Sequence, residues 1–250
     1  MSKDSAFGTK LKVGTAQVET ATIVGTITGD GNATFTITKS GLTGSPKAVS
    51  VAVLEDDTPT DVATKAAAEL NDDSDISALM EFTTKGDDLL ATMKEAAAND
   101  ATFNVAFTND TCTGLTPDAT SANTTAGVAE AEVGNVTNIG GPGLGLDTED
   151  VTTHDQTAAW EEVVATIIRS GEISLDIVYD PADGDHDAST GLVYRLEDKI
   201  YTYFQLEFPD DATTTWKFFG YVTGFEPGAP VGGALTASVK IKITDQPTLA

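Results

Sequence analysis

Apolar and polar positions alternate most cleanly near the C-terminus. Leu235, Ala237, Val239, Ile241 and Ile243 fall on one side, and Thr236, Ser238, Lys240, Lys242 and Thr244 on the other. A period of two predicts a strand with one buried and one polar face. Ile173, Leu175, Ile177 and Tyr179 repeat the pattern upstream, and Val133–Ile139 reads as a further strand. Tyr201–Phe208 and Thr215–Phe225 are aromatic-rich runs joined by Pro209-Asp210-Asp211-Ala212, the pattern of a hairpin. Trp160, Val163, Val164, Ile167 and Ile168 stand at helical spacing, which predicts an amphipathic helix. Thr157 is its expected cap, and Arg169 and Gly171 suit its end. Leu192–Asp198 reads as a short helix, Asp147–Asp155 and Asp180–Thr190 as acidic loops, and Gly140–Gly143 as irregular. This C-terminal body is expected to be a β-sandwich or partial barrel with one main helix, its core including Trp160, Val164, Ile168, Trp216 and Tyr221.

The N-terminal half reads differently. Residues 6–13 alternate from Phe7 on and predict a short strand or extended arm. Thr22–Thr28 and Ala33–Thr38 are β-rich runs joined through Gly29-Asp30-Gly31-Asn32, a hairpin signal. Lys47–Leu54 alternates with Val49, Val51 and Val53 on one face. Thr58 then caps a helix that Pro59 opens, with Val62, Ala63, Ala66 and Leu70 as its apolar stripe. Ile76–Met80 extends that helix or forms a second turn, and strands are expected near Glu81–Lys85, Leu89–Lys94 and Thr102–Thr108. Thr111–Gly127, rich in Thr, Ala, Asn and Gly, reads as a loop. The block is a small α+β domain of order β-β-α-β-β-β.

Aromatic usage separates the two bodies. Every tyrosine and both tryptophans lie after residue 159, while residues 17–130 hold only Phe35, Phe82, Phe103 and Phe107. Net charge is −25, which argues against a surface that grips phosphate. The block 17–130 contributes 18 acidic and 5 basic residues, or −13 of that total. The single cysteine, Cys112, rules out an internal disulfide framework. No signal peptide and no run of about 20 apolar residues is present, so the expectation is synthesis in a cytoplasm and no stable membrane association.

No pattern points to catalysis, a metal or a cofactor. His154-Asp155 are adjacent and point apart, and no activated nucleophile stands near them. Asp180, Asp183, Asp185 and Asp187 cluster like ligands for a hard cation, but without EF-hand spacing, which favours a solvated loop. Gly140–Gly145 lacks the Lys-Ser/Thr ending of a phosphate loop and contains Pro142. Cys112 has no basic neighbour in sequence and is expected to be inert.

An ordered set of segments carries a resemblance. Thr137-Asn-Ile-Gly-Gly-Pro-Gly-Leu-Gly-Leu-Asp-Thr-Glu-Asp-Val-Thr-Thr-His-Asp155 is similar to the loop signature of the major tail proteins (tail tube proteins) of long-tailed, non-contractile bacteriophages. The likeness continues through Trp160-Glu161, Gly171-Glu172-Ile173, Tyr179-Asp180-Pro181 and Phe208-Pro209-Asp210. It ends with Gly220–Pro227 and Leu235–Val239, and Ala6–Leu11 matches the opening of that family. The resemblance implies a phage tail tube fold formed by residues 1–16 and 131–250, with 17–130 as an inserted α+β domain on the tube exterior. It implies a structural virion protein, not an enzyme, made and assembled in the bacterial host cytoplasm. Copies would form hexameric rings that stack into a tube, with tape-measure, tail terminator and distal tail proteins as partners. DNA would pass through without specific binding. By the same resemblance Phe7, Lys10, Gly141, Pro142, Leu144, Leu146, Asp150 and His154 are the expected inter-subunit contacts. The alternative reading is a glycan-binding or host-adhesion module carried by residues 17–130.

Overall fold

The structure is a computed structural model that describes residues 7–154 and 160–250. The chain is mainly β, with several sheets, three short-to-medium helices and no closed barrel among the described residues. The first strands are β1 (Lys10–Thr15), β2 (Val18–Thr22), β3 (Gly31–Thr38) and β4 (Lys47–Val53). Two helices follow, α1 (Pro59–Asp72) and α2 (Ser74–Ser77). Then come β5 (Met80–Lys85), β6 (Asp88–Met93), β7 (Asn104–Asn109), β8 (Ala122–Thr125), β9 (Val128–Glu132), β10 (Val136–Gly140) and β11 (Gly145–Asp150). The chain ends with β12 (Val163–Arg169), β13 (Glu172–Val178), α3 (Leu192–Glu197), β14 (Thr202–Glu207), β15 (Thr215–Gly228), β16 (Thr236–Ile243) and β17 (Thr248–Leu249). It divides into two compact units, Met1–Val13 with Ala131–Ala250, and Gly14–Glu130.

In the first unit one sheet runs β10-β13-β16-β15-β14-β1-β9, with β17 added on β15. The alternation at β16 and β13 is realised strictly. Ala237, Val239, Ile241 and Ile243 are buried, as are Ile173, Leu175 and Ile177, and the intervening side chains are exposed. Register places Leu175 opposite Val239 and Ile173 opposite Ile241. These residues share a core with Leu11, Phe204, Leu206, Phe218 and Leu192 of α3. Fully burying one such side chain contributes about 1.5–3 kcal/mol. On the other side of β14–β15, Tyr203 packs edge-on against Phe219, which stacks on Tyr201 at 4.9 Å between ring centres. Tyr221 belongs to this outer aromatic group and is 37% exposed, so it is not a core residue; its position places it across the strand from buried Val222. Trp216 is partly buried against the core.

The expected helix over Thr157–Arg169 is not formed. Val163–Arg169 is a strand, β12, paired antiparallel with β11. Residues 155–159, including Thr157 and Asp155, lie outside the described residues. Five of the seven residues of β12 are β-branched (Val163, Val164, Thr166, Ile167 and Ile168), which favours extended backbone. A strand that is apolar on both faces gives adjacent apolar pairs four residues apart, the same pattern as a helical stripe. Trp160, Val164 and Ile168 are 77%, 51% and 75% exposed, so none is a core residue of the isolated subunit. The acidic loop expected at Asp147–Asp155 is strand β11 as far as Asp150.

The second unit packs a β5-β6-β2-β8 sheet and a β4-β3-β7 sheet, with α1, around its own core. Helix α1 begins as its sequence predicts. Thr58 accepts from the Asp61 N–H, the Asp61 carboxylate accepts from the Thr58 N–H, and Val62, Ala63, Ala66 and Leu70 are buried. The hairpin expected at Gly29–Asn32 does not form, because β2 and β3 belong to different sheets. Residues 23–28 instead run beside 113–116: the Thr28 N–H donates to Thr113 O at 2.8 Å and the Thr116 N–H to Val24 O at 2.8 Å. Backbones approach so closely there that a Cβ on Gly114 would sit 2.1 Å from Thr26 O. The expected loop Thr111–Gly127 therefore carries structure: Cys112 and Leu115 are buried, and β8 pairs with β2.

A polar network ties this unit together. Asp100 accepts from the Thr102 N–H and hydroxyl, from Lys39 Nζ at 2.9 Å and from the Ser40 N–H at 3.1 Å. Gln17 clasps the Asp100 backbone from β2's approach, donating to its carbonyl and accepting from its N–H. These hydrogen bonds, those from Thr102 first, hold the Asp100 carboxyl far below the usual carboxylate range. Such a group binds protons more weakly folded than unfolded, so its contribution is complete above the unfolded value near 3.9 and is lost as pH falls below it. Asp100→Ala is expected to cost about 2–4 kcal/mol at pH 7, because it strands Lys39 and two N–H groups. Urea denaturation should show that difference, and it should shrink between pH 5 and pH 3.

Candidate assembly surface

The feature that stands apart is the β11–β12 hairpin. Its register sets Leu146 opposite Ile168, Glu149 opposite Val164 and Asp150 opposite Val163, with an irregularity between Leu146 and Thr148. Arg169 Nε donates to Asp147 at 2.8 Å; the guanidinium lowers the Asp147 carboxyl pKa, and the carboxylate raises that of Arg169. Thr152 donates its N–H to Asp150 at 2.8 Å and accepts from the Glu162 N–H. The hairpin is thus well bonded within itself, yet all seven residues of β12 are exposed. Successive strand residues point to opposite faces. The extra residue of β12 at the irregularity resets that alternation, so Val163 and Ile168 lie on the face of Leu146 and Val164 on the other, and these residues and Ile167 are each 49–75% exposed. Leu144 (49%), Leu146 (56%) and Trp160 (77%) extend the apolar surface. A two-stranded ribbon has little stability alone in water, and apolar surface on both faces requires a covering partner.

The residues expected at inter-subunit contacts gather largely here. Gly141, Pro142 and Leu144 form the connection from β10 into the hairpin, Leu146 and Asp150 lie on β11, and His154 follows, exposed. Phe7 and Gly141 line a groove of about 690 Å³ with Val136, Ile139, Leu206 and Phe208. That groove adjoins edge strand β10. Lys10 lies apart on β1, ion-paired with Glu132 at 3.0 Å. Sequence reasoning missed Trp160, Val163, Val164, Ile167 and Ile168 as surface residues. The density of β-branched residues in β12 was the signal that could have found them.

The acidic loop after β13 is a structural clasp. The Asp180 N–H donates to His186 Nδ1, so the proton of this fully buried ring sits on Nε2, which donates to Gly134 O at 3.1 Å. Asp185 accepts from the Gly134 N–H, Asp183 from Asn135, and Asp187 from the N–H groups of Ser189, Thr190 and Gly191. Among the described residues no three His, Cys, Asp or Glu side chains are grouped to hold a metal ion. Cys112 is 3% exposed, inside the core of the second unit. The four phenylalanines of that unit are buried too, which leaves no aromatic platform for a sugar.

The family described as "Lambda phage tail tube protein, TTP" matches residues 116–250, more than half of the chain. The chain belongs to the lambda phage tail tube protein family. It is accordingly a structural tail tube protein of a phage tail, not an enzyme. No curated protein sequence matches it. Among solved structures, a chain from the virion of a native gene transfer agent particle is 16% identical, over 48% of this chain and 88% of its own, with a TM-score of 0.40. A chain from the baseplate of the anti-feeding prophage is 10% identical, over 51% and 87%, with a TM-score of 0.40. No helix among the described residues is long and apolar enough to cross a membrane.

Proposed function

We propose that copies of this tail tube protein close into six-membered rings that stack into a tube, with the β11–β12 hairpin buried between copies. The observation that carries this reading is the hairpin's apolar surface on both faces. Carried from half-exposed to buried, each of those side chains contributes about 1 kcal/mol. A hairpin covered on both sides is held by two neighbours rather than one, which suits a ring or stack and not a pair. The groove beside β10, lined by Phe7, Val136, Ile139 and Leu206, is its seat on the adjacent copy.

The polar face of β13 and β16 is the lining of the conduit. Glu172 stands opposite Lys242 and Asp176 opposite Ser238, so acids and bases are interleaved. Asp176 also accepts from Ser238 and Asn138. Such a face presents no cluster of cations to hold phosphate, and DNA slides past it. The unit Gly14–Glu130 sits on the tube exterior as an inserted domain, and tape-measure, terminator and distal tail proteins meet the tube within and at its ends. Electron microscopy of the concentrated protein is expected to show rings or tubes. Monomers alone at every concentration, with a tape-measure protein supplied, would overturn the proposal.

A further inference from the structure

Unit Gly14–Glu130 protects its sheet edges unevenly. The edge of β7 is covered: Phe107 and Asp118 exchange backbone hydrogen bonds of 2.8 and 3.1 Å, and the Val105 N–H donates to Ser121 Oγ. The edge of β5 is capped by one side chain, since Asn71 accepts from the Phe82 N–H and donates to the Phe82 carbonyl. Strand β4 has no comparable cover among the described residues. Because Val105 and Phe107 direct their backbone groups away from β3, residues Asn104, Ala106 and Thr108 pair with Thr38, Thr36 and Thr34. Backbone direction alternates along an antiparallel ladder. On β3 it is therefore Ala33, Phe35 and Ile37 that bond β4, through Val51, Val49 and Lys47. That leaves the N–H and C=O groups of Ala48, Ser50 and Ala52 pointing out of the sheet. All three residues are exposed, and they carry no charge and no bulk.

An edge of this kind is normally blunted by a charge, a proline or a bulge, and β4 has none of these between Lys47 and Val53. The charge at its two ends decides what fits. At one end Lys47 is shared by Asp73 and Asp75, each at 2.6 Å, so one cation meets two anions. At the other, Asp30 accepts from the Glu55 N–H, and Glu55, Asp56 and Asp57 follow the strand, where among the described residues only Lys65 is paired, on Asp57. Both ends are net negative. A second copy would bring the same charge to the same ends.

We infer that β4 is a docking edge for an extended peptide segment of another protein, uncharged and β-branched in the middle and cationic at both ends, which adds to the sheet as a fourth strand. Backbone hydrogen bonds to Ala48, Ser50 and Ala52 give the affinity, and the acidic ends select the partner. The inference does not depend on the tube reading, because every residue it uses belongs to Gly14–Glu130. The test uses the full chain and a synthetic peptide of alternating Thr and Val with paired Lys and Arg at both ends, beside a twin with Glu flanks. Amide exchange read residue by residue should slow at Ala48, Ser50 and Ala52 with the basic peptide, weaken at high salt, and not change with its twin. Ser50→Pro, which removes an outward N–H and no ladder bond, should lower affinity at least tenfold, and Ser50→Lys, which keeps the N–H but adds a cation, should lower it as well. Equal binding of the two peptides, or unchanged affinity in both variants, overturns the inference. So does protection that rises with protein concentration when no peptide is present, because a second copy then covers the edge.

Discussion

Val164→Asp combined with Ile168→Asp is expected to abolish rings and tubes while the subunit stays folded. The bulge in the hairpin sets the two side chains on opposite faces of β12, and both are more than half exposed in the single chain, where they touch no part of the core. Exposed substitutions of this kind move subunit stability by about 0.5 kcal/mol or less. In an assembled interface the same carboxylates would be buried without cations, at a cost of several kcal/mol each. Each 1.4 kcal/mol is a factor of about ten in association, so the pair should weaken contact at least a thousandfold. Circular dichroism and thermal melting should match the parent, and electron microscopy and sedimentation should show monomers. Val163→Asp with Ile167→Asp should do the same. Normal tubes from either double variant would mean that the hairpin is not covered in the assembly. Conservative Ile168→Val should retain assembly, which separates loss of apolar contact from general disturbance of the hairpin.

The residues read correctly from sequence are those whose environment the subunit itself supplies. The alternation of Ala237, Val239, Ile241 and Ile243 survives because their partners Leu175 and Ile173 lie on the neighbouring strand. Helix α1 was legible because Thr58, Pro59 and Asp61 encode its start locally, whatever packs around it. The misread residues answer to something distant. Ile23 and Ile27 are buried, but the backbone of their segment is held by residues 113–116, which no window of the sequence contains. The strong turn signal of Gly29-Asp30-Gly31-Asn32 says that the chain bends there, not that the flanking runs pair. For Val163–Arg169 the missing environment is outside the subunit altogether. A strand made for contact on both faces carries no polar face to mark its period, and so its spacing imitates a helix. Of the candidate surface, Leu144, Leu146 and the Gly141-Pro142 turn came from resemblance, while the most exposed apolar residues came only from the structure.

Excision of Gly14–Glu130 is expected to leave a subunit that folds and still builds a tube. The chain leaves and re-enters the first unit at adjacent points. Lys10 pairs with Glu132, Leu11 O accepts from the Val133 N–H at 2.8 Å, and Gly14 lies against Val128 and Glu130. Strands β1 and β9 therefore run antiparallel and are neighbours in the sheet. An Asn-Gly turn from Val13 to Ala131 suits that geometry, since two-residue turns of this type match the twist of paired strands. The cores are separate as well: no residue of the cluster around Phe35 and Leu70 belongs to the cluster around Phe204 and Ile241. The deletion removes 18 acidic and 5 basic residues, so net charge falls from −25 to −12. Repulsion between copies drops with it, and tubes should form at lower salt and at a smaller outer diameter than the parent's. A deletion variant that is soluble but unfolded would sink the inserted-domain reading. One that folds and stays monomeric would show instead that Gly14–Glu130 supplies contacts the tube needs, and that the hairpin faces alone do not hold it together.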